Sequence, residues 1–241
     1  MKLIKINNKI RPKQLLSISL LIIIAFLFSC NDNQKEGNRD KSLTHFDKPR
    51  NDILPFFRGK DFEPYWVEKG KVSFESKKVD FFEFINQKDE KFGRDNLKNK
   101  LTVISFFFAR CHGICPNIVR NIKFVQSEYV NDPNVQIVSF SVTPDLDTPI
   151  ELRRFAGEKG IIDSKWSLIT GEREKIFELA RNTFQADTDA ATKKVEDKDF
   201  VHSERVYLID KNLNFRGVYN GNRGDSIQTL IDDIKILEKE G

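Results

Sequence analysis

The sequence predicts an α/β fold, and three features carry that expectation. Leu101–Phe108 (LTVISFFF) is apolar almost throughout, as a strand buried on both faces must be. After Pro116, apolar residues recur at Ile118, Ile122, Val125 and Tyr129, the stripe of an amphipathic helix. Val135–Val142 then returns to strand character, completing a β-α-β unit.

The other elements follow in order. Aromatic density rises at Ile53-Leu54-Pro55-Phe56-Phe57, where ordered structure is expected to begin. Val79–Ile85 reads as a strand and Gln87–Lys91 as the turn after it. Thr148-Pro149-Ile150-Glu151 is a capping box with proline at the first helical position, opening a helix that stops at Gly160. Trp166–Ile169 reads as a short strand, with Thr170 as cap of a helix through Phe184. Arg205–Asp210 and Asn214–Tyr219 form a hairpin turning at Lys211-Asn212, and a helix from about Ser226 to Glu240 closes the chain. The expected order is βαβαβαββα: a central mixed sheet flanked by helices, a parallel pair in the middle, and a C-terminal β-hairpin and helix. A thioredoxin-like single domain over 53–241 fits that order.

The 21 phenylalanines offset a modest 39% hydrophobic content, because each buries a large area. The formal charge of +4 belongs to the leader. Residues 1–29 hold Lys2, Lys5, Lys9, Arg11 and Lys13 and no acid, which leaves 35 basic against 36 acidic residues in the body. A nucleic-acid partner therefore has no electrostatic support. The basic stretch, the apolar run Leu15–Phe28 and Ser29-Cys30 have the order of an export signal. The run is shorter than the roughly 20 residues of a spanning helix. Leu27-Phe28-Ser29-Cys30 resembles a bacterial lipobox, with Cys30 the lipidated residue; an uncleaved short anchor is the other reading. Both place the body outside the cytoplasm of a bacterial cell envelope, tethered to a membrane. Residues 31–52 are polar and read as a flexible linker, with His45 a bystander in it.

With Cys30 assigned to lipid, Cys111 and Cys115 remain as a pair in Phe108-Ala109-Arg110-Cys111-His112-Gly113-Ile114-Cys115-Pro116. The segment joins a buried strand to a helix start, where ligands gather in open sheets and a thiolate is expected to have a lowered pKa. On a helical turn, positions four apart have Cβ atoms about 5–6 Å apart, wide for a disulfide and suited to two thiolates on one metal ion. A loop before the helix still allows the disulfide, as either a structural or a redox bond. Two thiolates are soft donors for Cu(I) or zinc. A structural zinc site wants four protein ligands, and three-coordinate copper is the better match to the few donors present. His202, in Phe200-Val201-His202-Ser203 before the Arg205 strand, is the candidate third ligand, with a surface loop histidine as its bland alternative.

At these residues the chain resembles the SCO/SenC family of thioredoxin-like copper proteins. The likeness covers most of 54–240. It rests on Leu54-Pro55-Phe56-Phe57, the strand into Cys111-x3-Cys115-Pro116, Ser141–Pro149, and His202-Ser203 followed by Val206-Tyr207-Leu208-Ile209-Asp210. The resemblance implies copper, as Cu(I) or Cu(II), held by Cys111, Cys115 and His202. It also implies a metallochaperone that serves the dinuclear copper site of cytochrome c oxidase and, in some members, reduces that site's cysteines. The partners so implied are the oxidase copper-site subunit and a membrane, with a monomer sufficient for the task. An exported thiol–disulfide oxidoreductase using Cys111 and Cys115 is the competing function. A peroxidase is disfavoured because no Thr-x-x-Cys precedes Cys111. Two positions depart from the family: His112 stands where proline is common, and Val201 where aspartate commonly precedes the histidine. Asp197 and Asp199 lie near enough in sequence to replace that carboxylate, and His112 is read as facing solvent. Asp145 and Asp147 are read as fixing the turn before the Thr148 helix, and Phe106–Phe108 as core.

Overall fold

The computed structural model describes residues 53–67, 76–111, 113–186 and 203–240. The leader, Cys30 and the 31–52 linker lie outside them. Along the described chain run β1 (Phe56–Arg58), β2 (Glu63–Tyr65), β3 (Glu83–Asn86), β4 (Lys91–Gly93), β5 (Leu101–Phe107), α1 (Cys115–Glu128), β6 (Val135–Ser141) and α2 (Pro149–Lys159). They are followed by β7 (Trp166–Thr170), α3 (Arg173–Glu178), β8 (Arg205–Ile209), β9 (Phe215–Asn220) and α4 (Gly224–Glu240). Seven strands form one mixed sheet in the order β4-β3-β7-β6-β5-β8-β9, and β1 and β2 form a separate hairpin. Strands β5, β6 and β7 are mutually parallel, while β8, β9, β3 and β4 join antiparallel. The fold is α/β and thioredoxin-like, as expected.

All seven residues of β5 are buried, which is why its sequence shows no alternation. Its polar pairs with β6 are satisfied internally: the Ser105 and Ser139 hydroxyls lie 2.7 Å apart, the Trp166 indole N–H donates to Ser139 Oγ, and the Gln136 amide donates to Thr102 Oγ1 at 3.0 Å. The Ile118, Ile122, Val125 and Tyr129 stripe is buried, as are Phe106 and Phe107. Thr148 Oγ1 accepts the Glu151 N–H and Gly160 ends α2 in the left-handed region, so both helix-boundary signals hold.

Two expectations are corrected, and two elements were not foreseen. The strand expected at Val79–Ile85 begins only at Glu83; the Val79 N–H is claimed instead by the Leu213 carbonyl, and Lys78 bridges to Asn214. The turn after β3 is followed by a strand, β4, that pairs back on it. Thr170 ends β7 rather than capping a helix; α3 starts at Arg173 and widens into a π-helix at Leu179–Phe184. There Phe184 packs among Phe106, Tyr207 and Phe215. The β1–β2 hairpin was not foreseen either. Arg216, almost fully buried, fixes its approach by donating to the Leu54 and Pro55 carbonyls and pairing with Glu240 at 2.8 Å.

Asp233 of α4 is 2% exposed and accepts the Tyr219 hydroxyl at 2.7 Å. Tyr219 lies over Gly217, where a Cβ would overlap its hydroxyl. Burial pushes the Asp233 carboxyl up from 3.8 to about 6, against the lowering effect of Tyr219. The folded protein thus holds this proton more tightly than the unfolded chain. The stabilisation is complete below the unfolded pKa and is lost as pH rises through about 6. Asp233→Asn keeps an acceptor for Tyr219 and cannot ionise. In urea unfolding, its stability relative to wild type is expected to improve by about 1–3 kcal/mol between about pH 4 and pH 7. A difference that stays flat across that range contradicts the assignment.

Candidate metal centre

Strand β5 delivers the chain to the carboxyl edge of the sheet. Phe108–Cys111 forms a turn there, closed by the Cys111 N–H donating to the Phe108 carbonyl at 3.3 Å. The turn is held from the side by the segment that precedes and opens α2. The Ala109 N–H donates to Asp147 Oδ2 at 3.1 Å, and the Arg110 guanidinium lies 3.5 Å from the Glu151 carboxylate. Cys111 is therefore in a turn ahead of the helix. The picture of two cysteines on one helical face is corrected: α1 begins at Cys115, with Ile114 as its N-cap and Pro116 in its first turn. The Ile114 carbonyl accepts from both Asn117 and Ile118 N–H groups.

Both thiols are free and buried, Cys111 being 8% and Cys115 5% exposed. The Gly113 N–H donates to Cys111 Sγ at 3.3 Å. Burial pushes Cys115 well above its ordinary value; a backbone hydrogen bond at Phe108 opposes it, and the neighbouring Cys111 thiol adds a smaller upward push. The expectation of a lowered thiolate pKa at the helix start thus fails for Cys115, because desolvation of the charged form outweighs the helix dipole.

His202, the candidate third ligand, lies outside the described residues, as do His112, Asp197, Asp199 and Val201. Among the described residues no group of three metal-ligating side chains is assembled; Cys111 and Cys115 supply two soft sulfur donors. That donor set suits a thiophilic ion of low coordination number and leaves room for one further ligand. Asp145 is exposed and pairs with Arg173 at 2.9 Å. Asp147 fixes its turn, as expected, by accepting the Thr143 hydroxyl, but it is also buried and reaches the cysteine turn. That second role, and the Arg110–Glu151 contact, were not foreseen; the Ser-x-Thr-x3-Asp spacing of residues 141–147 is the only sequence signal for it.

Against known proteins, residues 71–238 match the SCO1/SenC family. The chain is 29% identical over 160 residues to the SCO1 protein homolog of Bacillus subtilis, covering 65% of this chain and 81% of that one. Its structure resembles that of a SCO1/SenC family lipoprotein from Bacillus anthracis, with a TM-score of 0.59, 33% identity, and coverage of 67% of this chain and 95% of the other. It also resembles BsSco, a member of the Sco family of cytochrome c oxidase assembly proteins in which a disulfide switch was identified. There the TM-score is 0.58, the identity 26%, and the coverage 68% and 94%.

A thiol held protonated must release its proton to bind a metal ion. The affinity of the reduced chain for Cu(I), read by competition with a chromophoric chelator, is expected to rise with pH through neutrality. The rise is about tenfold per pH unit for each proton displaced. An affinity independent of pH between about 6 and 8 contradicts a protonated Cys115 as ligand.

Proposed function

The chain belongs to the SCO1/SenC family, and on that premise we propose that it is a copper metallochaperone, holding copper on Cys111, Cys115 and His202 and passing it to the dinuclear copper site of cytochrome c oxidase. The observation that carries this reading is the pair of neighbouring, buried, free thiols at the carboxyl edge of the sheet. The oxidase-assembly role of the family to which BsSco is assigned agrees with it. His202 is the third donor by family resemblance, and it would complete a three-coordinate site in which copper is cargo.

In the proposed transfer, the oxidase copper-site subunit docks at this edge and offers its own thiols. Cys111, in the turn, exchanges first; Cys115, at the helix start, lets go last and recovers its proton, which makes release favourable once copper is shared. The chain acts outside the cytoplasm as a monomer tethered by lipid on Cys30. The lipoprotein from Bacillus anthracis supports that placement, and among the described residues no helix is long and apolar enough to cross a membrane.

A second reading has its own support in the same thiols and in the disulfide switch identified in BsSco. As a reductase, Cys111 would attack a partner disulfide as thiolate, forming a mixed disulfide and expelling one partner thiol. Cys115 would then displace the other, leaving a Cys111–Cys115 disulfide and a reduced partner. Burial disfavours the Cys115 thiolate, which supports Cys111 rather than Cys115 as the first attacker.

The two readings part at His202. In cells lacking the native gene, the His202→Ala chain is expected to leave the oxidase without copper in its dinuclear site, as is the double Cys111→Ser/Cys115→Ser chain. Oxidase copper content and activity are the measurements. Full copper loading with the double variant sinks both readings; full loading with His202→Ala alone moves the assignment to the reductase.

A further inference from the structure

Asp147 is an unusual residue to bury. One of its oxygens, Oδ2, collects three donors: the Ala109 N–H at 3.1 Å, the Ser141 hydroxyl at 2.7 Å and the Thr143 hydroxyl at 2.9 Å. The other, Oδ1, is buried without a hydrogen-bond partner, and among the described residues no cation pairs with the carboxylate. A buried charge with one oxygen unsatisfied is a costly way to fix a turn that a neutral side chain also fixes. What the carboxylate does that local turn chemistry does not need is to reach across 38 residues to Ala109.

Ala109 is the second residue of the Phe108–Cys111 turn, and its N–H is held by Asp147 while Cys111 closes the turn onto Phe108. Ser141 ends β6, beside Phe107 at the end of β5, and the Val142 N–H continues that ladder to the Phe107 carbonyl. Asp147 therefore clamps the two central strand ends to the turn that carries the first cysteine. No comparable clamp is needed by Cys115, which belongs to the helix.

We propose that Asp147 is the positioning residue for Cys111: its carboxylate holds the turn so that the Cys111 sulfur stays seated beside Cys115, ready for a two-sulfur site. The proposal rests on the copper reading for its purpose and not for its test, since the clamp acts on the metal-free protein. Asp147 acts through the backbone of Ala109.

The experiment uses the full chain in detergent, reduced and metal-free. Alkylation of Cys111 and Cys115 by iodoacetamide is followed site by site by mass spectrometry. In Asp147→Ala, Cys111 is expected to react about tenfold faster or more, the opening expected when a hydrogen bond to a charged acceptor is lost, while Cys115 keeps its wild-type rate. Asp147→Asn retains a carbonyl oxygen for the three donors and should restore most of the protection. If the alanine chain does not fold, Asp147→Ser, too short to reach Ala109 but still polar for Ser141 and Thr143, carries the same expectation. Both cysteines speeding up together would show a purely structural role and overturn the proposal, as would an unchanged Cys111. A Cu(I) titration of the same variants separates the two layers. Selective exposure of Cys111 with weakened copper binding supports both; the same exposure in a chain whose wild type binds no copper keeps the clamp and removes the copper reading.

Discussion

Burial of β5 on both faces is the constraint from which the rest of this structure follows. From Leu101 to Phe107 no residue reaches solvent, so the chain has no outlet until the carboxyl edge of the sheet. Strands β6 and β8 flank β5 and take up its hydrogen bonds, and β6 continues in step with it to Ser141. The first residues free to carry chemistry are thus those of the Phe108–Cys111 turn, delivered to a fixed place by seven residues that cannot move. In open α/β sheets the crevice at this edge is where ligands bind, and the two cysteines occupy it.

The same burial decides how the thiols behave. Water is excluded from Cys115, so its charged form is penalised and the helix N-terminus does not compensate. A thiolate-rich site open to solvent would be reactive at neutral pH; this one keeps a proton in place until a thiophilic ion, a far stronger competitor than water, displaces it. A protonated sulfur is also easily left behind, which suits the proposed hand-over of copper. The tightness of the pair then depends on the backbone of the turn, and that backbone answers to the segment between β6 and α2 through Asp147 and Glu151.

The fold was legible wherever local chemistry and burial agreed. The unbroken apolar run of β5, the 118–129 stripe and the Thr148 and Gly160 signals each name an element without help from the rest of the chain. Residues 79–82 were misread as strand because the Val79 N–H goes to the Leu213 carbonyl, a distant partner that alternation does not reveal. The π-helix at 179–184 was missed because its pattern is that of any helix, and β4 because three residues are too few to show a period. The cysteines were legible from spacing and from family resemblance. Their environment was not: Cys115 reads as an activated thiol beside a helix start until its burial is seen, and Asp147 reads as a turn residue until Ala109 is found on its carboxylate.

What most directly tests the copper assignment is X-ray absorption at the copper edge, on the reduced chain loaded anaerobically and freed of excess metal. One copper per chain is expected, in a three-coordinate site of two sulfur scatterers and one nitrogen, reduced to sulfur alone in His202→Ala. No retained copper, or a first shell without both sulfurs, would contradict it.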